Sequence, residues 1–379
     1  VADMVWAAGR KNDSRLVSVS HEYIVCYARD VEYLRTKQVT WRQRKKGLNE
    51  IYVQYERLKR QHGKDYKAMT EGMKEWYRSL SDSHPSKAHK HYAHVDARGI
   101  YFPDNISWPG GGGPKYEVLH PVTKKPVKVP SRGWMTGDPK RMQEWIDDDR
   151  VHFGDDENAV PCIKSYLKDK EQQTPYSVFY QDGRAASKRL RALMEGDLFD
   201  FPKDELVLQE VVGMLTKGDD IVLDFFAGSS TTAHSVMLQN ATDGGNRRFV
   251  MVQLDEKTNE DSAAYQAGFK SIPEVSRERI RRAGKNILAE TGHEKWNKDT
   301  GFRVLKIDTS NMADVYYTPD ALDKNNPELF VDNIKPDRTA EDLLFQVMLD
   351  WGVDLALPIA RESIQGKEVF FVDDNALVA

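Results

Sequence analysis

The stretch from Ile221 to Leu254, IVLDFFAGSSTTAHSVMLQNATDGGNRRFVMVQL, constrains the fold more than any other part of the chain. Ile221-Val222-Leu223 is a short apolar run closed by Asp224, the composition of a buried strand that must then turn. Ala227, Gly228, Ser229 and Ser230 are small, so the backbone there can lie close against a ligand. Thr231 and Thr232 are placed to cap a helix, Gly244-Gly245 breaks it, and Val250 to Leu254 reads as a second strand. Strand, turn, helix and strand form a βαβ unit, whose ligand crevice lies at the carboxyl end of the first strand. The turn alone does not separate a ligand loop from a structural corner.

The wording of the turn and its neighbours is more specific. DFFAGSSTTAH follows the pattern D-x-F-x-G-x-G at Asp224, Phe226 and Gly228, with Ser230 at the second glycine. It resembles the S-adenosylmethionine-binding motif of DNA amino-methyltransferases, and a small non-glycine must then adopt the turn at Ser230. Upstream, Phe199-Asp200-Phe201-Pro202-Lys203 precedes an apolar helix over Leu206 to Leu215. It resembles the F-x-x-P-K motif that packs beside the cofactor in permuted, β-type enzymes, whose catalytic half comes first in the chain. HEYIVCYARD (from His21), HPVTKKPVKVPSRGW (from His120), AAYQAGFKSIPEVSRERIRRAGKNI (from Ala263) and DNIKPDRTAEDLLFQVMLDWGVDLALPI (from Asp332) are similar to segments of type III restriction-modification Mod subunits. The resemblance runs from about residue 5 to the end.

That resemblance implies a permuted Rossmann-like α/β methyltransferase fold, incomplete here, with an inserted α+β target-recognition domain and a C-terminal α/β module. On this reading residues 1–34 hold the last strands of the catalytic half and 35–195 the recognition domain. Residues 196–293 form the S-adenosylmethionine half and 294–379 a module for dimerisation and partner contact. The implied cofactor residues are Phe201, Pro202, Lys203, Asp224, Phe225, Phe226, Ala227, Gly228, Ser229, Ser230 and Thr231. An acceptor after the second strand suits the ribose diol, and either Gln253 or Asp255 stands at that point.

The implied reaction moves a methyl group from S-adenosylmethionine to the exocyclic amine of adenine in double-stranded DNA, after the base is flipped out. Related enzymes hold that amine with a D-P-P-Y motif. The chain contains no Pro-Pro pair, and neither YQDGR (from Tyr180) nor the surroundings of Asp104 replace the motif. No catalytic residue and no metal ligand is therefore assigned. The chain opens at Val1 inside what the resemblance makes the catalytic half, and ends just short of where the family's tail continues. It reads as a C-terminal fragment, inactive alone, whose absent strands lie between the Ile221 strand and the His21 strand. The expected consequence is a discontinuous sheet with an apolar edge exposed at Ile221 to Phe225. An orphan methyltransferase without a nuclease partner, an inactive DNA-binding remnant and a cytosine-amine target remain open.

A chain of 379 residues suits two or three domains. It has no apolar run long enough for a bilayer, its opening residues lack a signal-peptide core, and its two cysteines give no disulfide framework. These point to the cytoplasm. Net charge is only −4, but residues 35–100 carry 16 basic against 7 acidic side chains, and 311–379 carry 5 against 14. The basic stretch also holds Trp41, Tyr52, Tyr55, Tyr66, Trp76, Tyr77 and Tyr92, the composition of a surface that grips phosphates and stacks bases. A solvated helical face over aromatic core residues has the same composition; position beside the methyltransferase motifs favours DNA. Lys124, Lys125, Lys128, Arg132, Lys140 and Arg141 are further DNA candidates, while Trp134 reads as core. Arg277, Arg279, Arg281 and Arg282 fit either phosphate contacts or a solvated face, and His21-Glu22 either an acid–base pair or a strand-edge brace. Gly301 to Ile307 reads as a strand. Leu343, Leu344, Val347, Met348 and Trp351 recur at helical spacing in the acidic tail, which should repel DNA and meet protein: a second copy, or a helicase-nuclease restriction subunit.

Overall fold

The computed structural model describes residues 1–7, 9, 15–180, 182–313, 333–374 and 376–379. It is a mixed α/β protein in two compact units that divide between Asp299 and Thr300. Part of the acidic C-terminal stretch, residues 314–332, lies outside the described residues.

In the first unit, strand Ala2–Ala7 runs antiparallel to His21–Cys26 and parallel to Val178–Tyr180. The second of these strands is shorter than its sequence suggests, because Leu16, Val17 and Val19 stay exposed outside it. Met4, Trp6 and Phe179 bury against Val207 and Met214 of helix Glu205–Leu215. Asp204 starts that helix by accepting the N–H groups of Leu206 and Val207, as its residue type dictates.

Residues 48–79 form two helices, Leu48–His62 and Tyr66–Ser79, packed beside an antiparallel sheet. The sheet order is His94–Asp96, Gly99–Asp104, Cys162–Tyr166, Val151–His152. Helical spacing places Leu48, Ile51 and Leu58 on one buried stripe, and Met69, Met73 and Tyr77 on the facing one. This corrects the stacking reading of the basic stretch. Tyr77 and Tyr92 are core, Tyr52, Tyr55, Tyr66 and Trp76 pack against that core, and Trp41 packs against the Met4 cluster. Burial outcompetes ligand stacking for all seven. Trp134 is core as expected, fully buried, with its Nε1 donating to the carbonyl of Tyr116 at 2.8 Å.

The βαβ unit forms. Strand Ile221–Asp224 pairs in parallel with Arg248–Met251, and helix Thr231–Asp243 connects them. Two local expectations change. The second strand begins two residues earlier than read and ends at Met251, because Val252 donates to the Asp224 carbonyl and the chain then leaves the ladder. The helix is preceded by Ser230 with no side-chain cap, since both threonines turn to other partners. This pair of strands joins no other sheet among the described residues, and Ile221, Leu223 and Val250 lie exposed on it. A parallel ladder normally has both faces covered, so the bare face is notable.

In the second unit, helix Ala340–Asp350 opens on a capping box between Thr339 and Asp342. It packs through Leu344 and Met348 against Phe370, Val372 and Leu377 of an antiparallel sheet. Gly301 to Ile307 is not a strand: Val304, Leu305 and Ile307 remain exposed, and Arg303 instead reaches the carbonyls of Leu355 and Leu357. No helix among the described residues is long and apolar enough to cross a membrane, and none of their His, Cys, Asp and Glu side chains group to hold a metal.

Candidate functional site

The turn at the carboxyl end of Ile221–Asp224 is built mostly from its own groups. Asp224 ends the strand with both carboxylate oxygens committed: Oδ1 accepts the Phe226 N–H at 3.0 Å and Oδ2 accepts the Thr232 hydroxyl at 2.6 Å. The Ala227 N–H donates to the Val252 carbonyl at 3.1 Å, tying the turn to the neighbouring strand. Gly228 has φ +51°, and a Cβ there would meet Phe199 Cζ at 3.3 Å. Its N–H donates to Gln253 Oε1 at 2.8 Å. Ser230, at the position of the pattern's second glycine, is left-handed at φ 58° and ψ 44°. That conformation costs a non-glycine residue roughly 1–2 kcal/mol, so the surrounding contacts must hold it.

Those contacts come from below, out of helix Ile272–Ala289. Ser276 donates its hydroxyl to the Gly228 carbonyl. Arg279 is 1% exposed, and its Nη1 donates to the hydroxyls of Ser229 and Thr231 at 2.7 Å each. Its Nη2 stands 3.9 Å from Glu205 Oε2. Glu205 and Asp204 in turn receive Arg189, the latter at 2.8 Å. Two guanidinium groups and two carboxylates thus balance in a buried cluster. His234, one turn into the helix, is pushed down to about 3 by burial, with Arg279 and Arg189 adding to it, so it stays neutral.

Beside the turn, Phe201 is exposed at φ 50°, Pro202 is buried, and Lys203 pairs with Glu22 while its Nζ sits 5.9 Å above the Trp6 ring. The His21-Glu22 pair is thereby connected to the F-x-x-P-K segment, with the His21 ring edge-on to Tyr23. Asp255 is exposed and bonded to Lys257 at 2.6 Å.

The sequence candidates therefore split. Phe225, Phe226 and Phe201 present rings to solvent around the turn. Ser229, Ser230 and Thr231 are buried, leaving half-buried Gly228 as the accessible part of the turn. Arg279, read from the sequence as surface, is the opposite: it shares the buried stripe of Val275, Ile280, Ala283 and Ile287. Arg282 pairs with Glu278 and Glu195, and Arg281 with Glu278. Ser276, Arg189 and Glu205 were not singled out by sequence reasoning, while Phe199 entered only as the first residue of the F-x-x-P-K segment. Lys124, Lys125, Lys128, Arg132, Lys140 and Arg141 are all exposed.

At the end of the strand the turn is backed by Phe199 and framed by the exposed rings of Phe201, Phe225 and Phe226. The chain belongs to the DNA methylase (N6/N4 methyltransferase) family, whose model matches residues 2–264. It is similar to the type III restriction-modification enzyme EcoP15I Mod subunit of Escherichia coli, at 31% identity over 98% of this chain and 55% of that protein. The StyLTI Mod subunit of Salmonella typhimurium is 29% identical over 82% of the chain and 41% of its own length. The EcoPI Mod subunit of Escherichia phage P1 is 28% identical over 67% and 38%. The chain thus spans about half the length of the curated relatives it matches.

Proposed function

We propose that this chain is part of the modification subunit of a type III restriction-modification system. The intact protein transfers a methyl group from S-adenosylmethionine to the exocyclic amine of adenine in duplex DNA. The observation that carries this reading is the turn: two left-handed positions, Gly228 and Ser230, follow the end of a parallel strand, with Gly228 half-buried. A Cβ at Gly228 would fill the cradle against Phe199. The turn at Gly228, with the exposed rings of Phe226 and Phe201 beside it, would hold S-adenosylmethionine. Asp224 then acts by shaping the turn, and Gln253 by holding Gly228. Asp255 is the exposed acceptor for the ribose hydroxyls. When bound, the cofactor supplies the electrophilic methyl group; the chain's own residues orient it.

The two-stranded ladder, joined to no other strand among the described residues, supports a permuted Rossmann-like fold whose remaining strands, with the D-P-P-Y motif, complete the sheet at its edge. Residues 35–195 then read the DNA target, residues 196–293 hold the cofactor, and residues 294–379 contact a second copy or the restriction subunit. Similarity to three Mod subunits favours this over an orphan enzyme or a remnant that only binds DNA. Equilibrium dialysis with radiolabelled S-adenosylmethionine tests the reading. Gly228→Val should abolish saturable binding and leave non-specific DNA affinity unchanged. Loss of both together would mean that the turn is structural.

A further inference from the structure

We propose that Arg279 is the positioning residue of the turn: its guanidinium clamps the hydroxyls of Ser229 and Thr231 and so holds Ser230 in its left-handed conformation. The proposal rests on the cofactor reading above and extends it to a residue that touches no ligand. The two hydroxyls belong to the residues immediately on either side of Ser230, and one nitrogen, Nη1, bonds both at 2.7 Å. A single rigid group therefore fixes the chain before and after the strained position. The same helix adds a second tether one turn earlier, where Ser276 donates to the Gly228 carbonyl.

The surroundings show that this charge is kept in place against its own desolvation. Arg279 is buried, and its Nε, Glu205 Oε2 and Asp204 Oδ2 have no hydrogen-bond partner. A purely apolar residue would pack at this point of the helix without an unsatisfied Nε of its own. What an apolar residue cannot supply is two convergent donors aimed at the turn. Glu205 and Asp204, which belong to the segment just after Phe201-Pro202-Lys203, offset the charges of both Arg279 and Arg189. The clamp thus ties the F-x-x-P-K segment to the turn, so that both flanks of the cofactor site share one anchor.

The test uses the full 379-residue chain. Amide exchange across 224–234 and S-adenosylmethionine affinity are measured for Arg279→Gln, Arg279→Lys, Ser229→Ala/Thr231→Ala and the triple combination. Arg279→Gln should speed exchange at Gly228 to Thr231 and weaken cofactor binding, each at least tenfold. Exchange in helix Tyr66–Ser79 should not change, and lysine should restore part of both losses. The triple variant should be no worse than Arg279→Gln, because the guanidinium acts through those two hydroxyls. Unchanged turn exchange in Arg279→Gln, or losses that multiply in the triple variant, would overturn the proposal. If Arg279→Gln does not fold, the hydroxyl pair decides alone: wild-type exchange there would overturn it. Failure of the cofactor reading looks different, since the unsubstituted chain would then bind no S-adenosylmethionine while the turn still loosened on substitution.

Discussion

Two substitutions in one turn should move stability in opposite directions. Ser230 holds φ 58° without capping the helix that follows, so Ser230→Gly removes a strained side chain and forfeits no capping bond. Relief of a left-handed non-glycine is worth roughly 1–2 kcal/mol, and the greater freedom of glycine in the unfolded chain returns about 0.4–1 kcal/mol. The net gain is about 0.5–1 kcal/mol. Gly228→Ala runs the same terms in reverse, with a new Cβ 3.3 Å from Phe199 Cζ that costs a further few tenths. The net loss is about 1 kcal/mol. The two variants should therefore differ by about 1.5–2 kcal/mol, or roughly 2–3 °C in the melting temperature of a unit this size. Calorimetry on both variants, with the ordering Ser230→Gly above wild type above Gly228→Ala, is the expected result. Equal shifts, or a more stable Gly228→Ala, would refute the left-handed geometry at one or both positions.

Three other outcomes follow from the structure. His234 is neutral when folded, with a pKa near 3 against about 6.5 unfolded, so below pH 6.5 the unfolded chain takes up a proton that the folded one refuses. Unfolding free energy should fall with acid between pH 6.5 and 5 by up to about 1.4 kcal/mol per pH unit from this group. His234→Gln should flatten that slope in urea titrations, and an unflattened slope would assign it elsewhere. Arg247 is buried and bonds Asp243 at 2.8 Å and Thr216 at 2.6 Å, so Arg247→Met should cost about 2–3 kcal/mol by the same titration. Arg57, Arg60 and Lys67 on the two basic helices, and Lys64 in the turn between them, are exposed. If they grip phosphates, replacing all four by alanine should reduce the salt slope of DNA binding by up to about 3.6, and an unchanged slope would make them a solvated face.

Local chemistry made the βαβ unit legible: an apolar run, small residues, a helix stretch and a Gly-Gly break leave little choice. The helix at Ala340 was equally plain from the spacing of Leu343, Leu344, Val347, Met348 and Trp351. Composition misled in the basic stretch, because tyrosine and tryptophan serve a core as well as a nucleic acid, and only packing separates the two. Gly301 to Ile307 alternates like a strand, but a strand also needs a neighbour, which no local pattern reports. Arg279 was hidden for a different reason. In RERIRR it looks like one surface arginine among several, yet it falls four residues after Val275 and four before Ala283. That register was the available signal, and charge masked it. Ser229 and Thr231 were named from the small residues of the turn, but which way they face depends on the helix beneath.

The most direct test of the central claim is ultraviolet cross-linking of methyl-tritiated S-adenosylmethionine to the chain, followed by peptide mapping. Saturable label in peptides containing Phe199 to Lys203 or Asp224 to Thr231, displaced by S-adenosylhomocysteine, is the predicted result. Label confined to other peptides, or no saturable label at all, would contradict a cofactor site at this turn.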